Sequence, residues 1–192
     1  MGGAKLSVFG FVLGMYTVVA GLGISLLVRS VGQLIEARGR IRHYWVHSAF
    51  VATLFVAQIV AWYSLWRFSD HAPWTALEVL LLPSVPILLY LTSYLAVPQI
   101  EAGRSYQLRE HYFANARWTQ ALLLGAVLLW ALGQRYLAPG SDAQFPHLLR
   151  LLVPLSLIPG TLTRNAYVHG AQAVCLLLLI AAAIVYAAVP IG

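Results

Sequence analysis

Few side chains in this sequence can do chemistry. His43 and His47 stand four positions apart, one helical turn, so both imidazoles could reach one metal ion if a helix extends back to residue 43. A third ligand would have to come from His111, Glu110 or His169. A haem held between helices wants histidines well inside apolar runs, whereas these fall at the ends of them. The expectation is therefore no cofactor and no metal, with His43, His47 and His111 as the weak metal candidates. Glu78 and Arg150 each lie near the start of an apolar run, at similar depth. Ionisable groups there are costly and mark function by default, so the two are expected to form an ion pair or the polar lining of a vestibule. Pro83 and Pro86 fall in one apolar run, Pro154 and Pro159 in another. Each removes a backbone donor, and helix breaks at such places could turn freed carbonyls toward a cavity. Gln58, Gln120, Gln172, Thr92 and Ser93 add hydrogen-bonding groups without forming a recognisable filter. No G-x-S-x-G, H-E-x-x-H, Walker loop or C-x-x-C occurs, which points away from an enzyme.

The elements that must position these groups follow from composition. Hydrophobic residues make up 60% of the 192 and charged residues 9%, against roughly 25% charge in a soluble domain. Water-soluble globules and disordered chains are excluded, and Cys175, the single cysteine, cannot staple a disulfide scaffold. A polytopic, all-α transmembrane bundle is expected, as one domain over 1–192. Its spans are read from gaps between charges, since a crossing helix needs about 20 mostly apolar residues. Six gaps qualify, at about 6–28, 48–66, 79–98, 118–134, 147–163 and 168–190. The runs are continuously apolar, without the alternation of barrel strands. The first is longer than a signal-peptide core and is expected to be a true span.

Orientation follows from positive charge in short loops. With the N-terminus outside, eight basic residues lie inside (Arg29, Arg38, Arg40, Arg42, Arg104, Arg109, Arg117, Arg164) and four outside (Lys5, Arg67, Arg135, Arg150). An N-out, C-out arrangement is expected. Scattered in this way, the net charge of +6 forms no basic stripe for nucleic acid and addresses a leaflet instead. The stretch from Gln99 to Arg117 carries Leu108, Tyr112, Phe113 and Ala116 at helical spacing, with Gln107, Glu110, His111 and Asn115 turned away. It predicts an interfacial helix leading into the fourth span, with Arg104, Arg109 and Arg117 holding lipid headgroups. Gly10, Gly14, Thr17, Gly21 and Ser25 share one helical face, which suits close packing inside the bundle ahead of a contact with another subunit.

Gly32-Gln33-Leu34 before the Arg38, Arg40, Arg42 loop, the aromatic end of the second span, and Leu108-Arg109 through Tyr112-Phe113 to Arg117-Trp118 together resemble small bacterial inner-membrane proteins of six spans. The resemblance covers the whole chain and implies a bacterial inner-membrane address without implying an activity. Eleven arginines against one lysine suit a GC-rich bacterial genome. The leading expectation is transport or conduction of an ion or small solute by a homo-oligomeric bundle in the lipid bilayer. An accessory subunit bound to partner membrane subunits is the alternative, and a haem- or metal-binding redox subunit a weaker one.

Overall fold

Long apolar runs with interrupted charge leave the backbone no partner but itself, and helices form. The computed structural model describes residues 7–100, 105–137 and 147–188, with the side chains of all these except 147–150 and 183–188. Its helices are α1 (Val8–Glu36), α2 (Trp45–Tyr63), α3 (Ala76–Ala96), α4 (Leu108–Leu137), α5 (His147–Leu162) and α6 (Ala166–Ala188). Short 3-10 turns follow α1 at Arg38–Arg40 and α2 at Ser64–Phe68. Two-residue strands β1 (Ile41–Arg42) and β2 (Tyr106–Gln107) pair in parallel, Ile41 opposite Tyr106 and Arg42 opposite Gln107.

Local chemistry sets the ends. The Ser7 hydroxyl accepts from the Gly10 N–H at 3.1 Å to start α1. Thr75 and Glu78 form a reciprocal capping box on α3: the Glu78 carboxylate accepts from the Thr75 N–H at 2.6 Å, and the Thr75 hydroxyl from the Glu78 N–H at 3.3 Å. Pro98 keeps Val97 extended and stops α3. Asn165 accepts from the Tyr167 N–H at 2.9 Å and opens α6.

Four helical stretches, Val8–Glu36, Trp45–Phe68, Ala76–Ala96 and Leu108–Leu137, are long and apolar enough to cross a membrane. Leu151–Leu162 and Ala166–Ala182 are shorter apolar helices. In space the helices close a ring in the order α1, α3, α4, α5, α6, α2, with α2 also packed on α3 and α4. The β1–β2 bridge places the α1–α2 and α3–α4 connections at the same end of this ring, and the bond from Arg67 Nη1 to Gln134 Oε1 (3.2 Å) ties α2 to α4 at the other. Leu80, Leu128, Leu155 and Leu178 stand on the outside, while His47, Thr92, Ser93, Gln120 and His169 are buried. An apolar exterior around polar interior groups is compatible with a membrane protein.

Three expectations are corrected. The residues from Leu108 onward form no separate interfacial helix: α4 runs unbroken for 30 residues, about 45 Å at the usual rise. Leu108, Tyr112, Ala116, Thr119, Leu123 and Ala126 make one buried stripe along it, with no proline to end it. Nor do the prolines break their helices, since α3 continues through Pro83 and Pro86 and α5 through Pro154 and Pro159. Each proline keeps a helical φ while removing one backbone bond, and in α3 both rings are buried in the packing that holds the helix together. Finally, Gly14, Thr17, Gly21 and Ser25 face outward and not into the bundle.

Candidate functional site

At the end of the ring that carries the β1–β2 bridge, α2, α3, α4 and α6 bury a set of polar side chains. Tyr112 on α4 reaches His169 on α6, oxygen to Nδ1 2.8 Å, and the His169 Nε2 lies 2.9 Å from the Thr163 carbonyl. A carbonyl can only accept, so Nε2 carries the proton and Nδ1 accepts from the Tyr112 hydroxyl. Gln120, two turns deeper on α4, donates to the Tyr112 oxygen at 3.4 Å, and Gln172 on α6 donates to Gln120 Oε1 at 2.8 Å. The bonds all run in one sense, so each polarises the next. Eight residues of helix separate Tyr112 from Gln120, carrying this polar track about 12 Å into the bundle.

The two glutamines fit because Gly160 of α5 faces them. A methyl there would stand 2.5 Å from Gln172 Oε1 and 3.0 Å from Gln120 Cδ. A second polar contact repeats the device across the ring. Gln58 on α2 donates to the Ser93 hydroxyl of α3 at 3.3 Å and lies against Gly23 of α1, where a methyl would overlap its amide. Ser93 itself donates to the Leu89 carbonyl at 2.8 Å, so its lone pairs are free for Gln58.

His47 and His111 meet beside the C-terminus of α3. The last carbonyls of a helix lack partners and carry partial negative charge, which favours donors. His47 Nε2 donates to the Ala96 carbonyl at 2.9 Å, leaving Nδ1 as an acceptor, buried and without a partner among the described residues. The His111 ring stands edge-on to it, centroids 6.3 Å apart. His111, expected to turn away, is half-buried because α4 starts early and brings it over α3. His43 stays exposed outside this pair, and among the described residues no group of three histidine, cysteine or carboxylate side chains could hold a metal.

Tyr44, just before α2, completes an aromatic floor, edge-on to Tyr112 at 5.8 Å and tilted on Phe113 at 6.0 Å. Burial raises the Tyr44 phenol above its ordinary value, and the nearby Arg109 guanidinium works against that. Arg109 also lies over the Phe113 ring, 5.8 Å from its centroid.

The remaining expected residues fall elsewhere. Glu78 is at the opposite end, engaged in its capping box and 3.4 Å from His71 Nε2. The Arg150 side chain lies outside the described residues, and so does Arg104. Arg117 is exposed on α4. Trp62 donates to the Thr17 hydroxyl at 2.9 Å and ties α2 to α1.

Among the described residues, buried side-chain atoms without a hydrogen-bond partner include the acceptors Gln58 Oε1, Gln172 Oε1 and His47 Nδ1, together with His111 Nε2 and the hydroxyls of Tyr16, Ser30 and Tyr44. Each such group costs about 1–3 kcal/mol, and the two amide oxygens and His47 Nδ1 can only accept. Tyr112 was legible as one residue of an apolar face at helical spacing and Gln172 as an isolated amide, neither as part of a polar track. The signal available was their position on the buried stripe of their own helices. The fold and site define a helical bundle whose largely apolar core holds a buried polar track. Searches among protein families, curated proteins and solved structures find no match for the chain.

Proposed function

We propose that the chain is a six-span protein of the bacterial inner membrane, N-out and C-out, that passes a small cation or a donor-rich solute such as an ammonium ion. The observation carrying this reading is the set of buried, unpartnered acceptors, Gln58 Oε1, Gln172 Oε1 and His47 Nδ1, beside a one-directional track of hydrogen bonds. Acceptors complement an ion or solute that brings donors or positive charge. The side chains of Gln120 and Gln172 bind and orient, because an amide passes protons poorly, while Tyr112 and His169 can exchange one between phenol and imidazole.

Purified protein in proteoliposomes tests this, with Na+, K+, H+ and ammonium flux measured in turn. Flux of at least one is expected, reduced by Gln172→Leu and by Gln120→Leu. No flux of any of the four sinks the reading.

A second reading, a subunit that packs against another transmembrane helix, is supported by α1. Around Gly14 and Gly21 an added methyl would meet nothing within 4 Å, so these two positions of the small-residue face are open, although Thr17 between them takes the Trp62 bond. Copurification with a second membrane protein at fixed stoichiometry supports it, and a monodisperse single-chain particle counts against it.

A further inference from the structure

The β1–β2 bridge does more than mark one end of the ring. In a strand pair alternate residues face opposite sides, and the burial agrees: Ile41 and Tyr106 are half-buried, Arg42 and Gln107 exposed. Arg40 and Ser105 flank the same outer side and are exposed as well. These four, with Gly39, Ile41 and Tyr106, line an open cavity of about 380 Å³ between the two connections. All four bring donors, two of them guanidinium groups. Among the described residues neither Arg40 nor Arg42 meets a carboxylate, the ion pair present being His71 with Glu78 at the other end. Glu101 and Arg104 lie outside the described residues. Both α2 and α4 begin here, so their N-terminal N–H groups add positive potential, and α2 has no side-chain cap.

A second groove opens two residues along the chain. The start of α2 and the outer face of α6 enclose about 440 Å³ lined by Tyr44, Trp45, Val46, Tyr167, Ala171 and Val174. The Trp45 ring lies along Gly170, where a methyl would stand 3.3 Å from Cζ2. Thus a pocket carrying two guanidinium groups lies two residues along the chain from an apolar groove between α2 and α6.

We infer that the two connections bind the phosphate of an anionic phospholipid, through Arg40, Arg42, Ser105 and Gln107, with an acyl chain seated in the groove between α2 and α6. A soluble phosphate would explain the first cavity and leave the second without a role. The inference rests on the membrane placement proposed above. It is independent of flux.

Membrane fractionation comes first: release of the full chain into the soluble fraction removes the membrane placement itself. Delipidated protein is then titrated with phosphatidylglycerol or phosphatidylcholine and followed by native mass spectrometry. One phosphatidylglycerol is expected to remain bound where phosphatidylcholine does not. An arginine near an anionic headgroup contributes roughly five-fold in affinity, so Arg40→Ala with Arg42→Ala should weaken binding about thirty-fold. Arg135→Ala, at the opposite end, should leave it unchanged. Ala171→Trp, which fills the groove, should weaken phosphatidylglycerol without altering inorganic phosphate. Both arginines are exposed, so the double variant keeps its packing; circular dichroism checks it, and Ser105→Ala with Gln107→Ala is the milder version. Equal retention of phosphatidylcholine, or an unchanged double variant, overturns the site. Inorganic phosphate bound as tightly as the lipid, with Ala171→Trp silent, overturns the lipid as its occupant.

Discussion

Gly160→Ala is an informative perturbation of the polar track, because its sign depends on two other residues. The new methyl would stand 2.5 Å from Gln172 Oε1, 3.1 Å from Gln172 Nε2 and 3.0 Å from Gln120 Cδ. The amides must move, breaking the 2.8 Å bond between them. The lost bond costs about 1 kcal/mol, and crowding in a packed interior about 1–3 kcal/mol. Alanine's better helix propensity returns up to about 1 kcal/mol. The single variant is therefore expected to be destabilised by about 1–3 kcal/mol. In a Gln172→Ala background the closest contacts are gone and Gln120, 3.0 Å away at Cδ but freed of its bond, can give by a few tenths of an ångström, so the same change should be close to neutral. The coupling between positions 160 and 172 is then about 2 kcal/mol, read as a double-mutant cycle from reversible unfolding in mixed micelles. Neighbours that do not interact add within about 0.3–0.5 kcal/mol. Additivity of that order would refute the placement of Gly160 against the glutamines.

Gly23→Ala should behave in the same way with Gln58, destabilising the native chain and becoming tolerated in Gln58→Ala, by the same assay. Tyr112→Phe removes the donor to His169 Nδ1 and should cost about 1–3 kcal/mol; a melting point equal to the parent's would contradict the bond. Nitrogen-15 spectra of histidine-labelled protein should show Nε2 as the protonated nitrogen of both His47 and His169, and the opposite tautomer in either would disprove its carbonyl contact. Glu78→Ala removes half of a capping box and should lower stability by about 1 kcal/mol while leaving flux intact; lost flux in well-folded protein would return Glu78 to the conducting path.

The helices were readable because hydrophobicity accumulates along a run, whichever way each residue faces. Their ends were not. Apolar content stops near Val28, yet α1 continues to Glu36, and α4 begins ten residues ahead of the expected span at 118, since helical hydrogen bonds persist through residues too polar to count as span. Periodicity put Gly14, Thr17, Gly21 and Ser25 on one face without saying where that face points. Direction is a property of the neighbours: α1 leans on α3 and α2 with Val12, Tyr16, Ala20 and Gly23, and turns the small stripe out. The site was legible only in pieces. Gln120 and Gln172 are 52 positions apart, Tyr112 and His169 57, and their meeting depends on how α6 slots into the ring. Glu78 drew attention as a rare charge near an apolar run, although a threonine three residues earlier already offered the capping box that occupies it.

That late partnering has a consequence for biosynthesis. Tyr112 and Gln120 emerge from the ribosome well before His169 and Gln172, and 52 residues at 5–20 per second take roughly 3–10 s. During that interval α4 keeps the bond from Gln120 to the Tyr112 oxygen, but the Tyr112 hydrogen and the Gln120 carbonyl lack the mates that α6 brings, so a chaperone, an insertase or water must satisfy them. A ribosome stalled before α6 would leave a product whose hydrophilic notch stays open, a mark by which a membrane protease could tell an unfinished chain from a finished one.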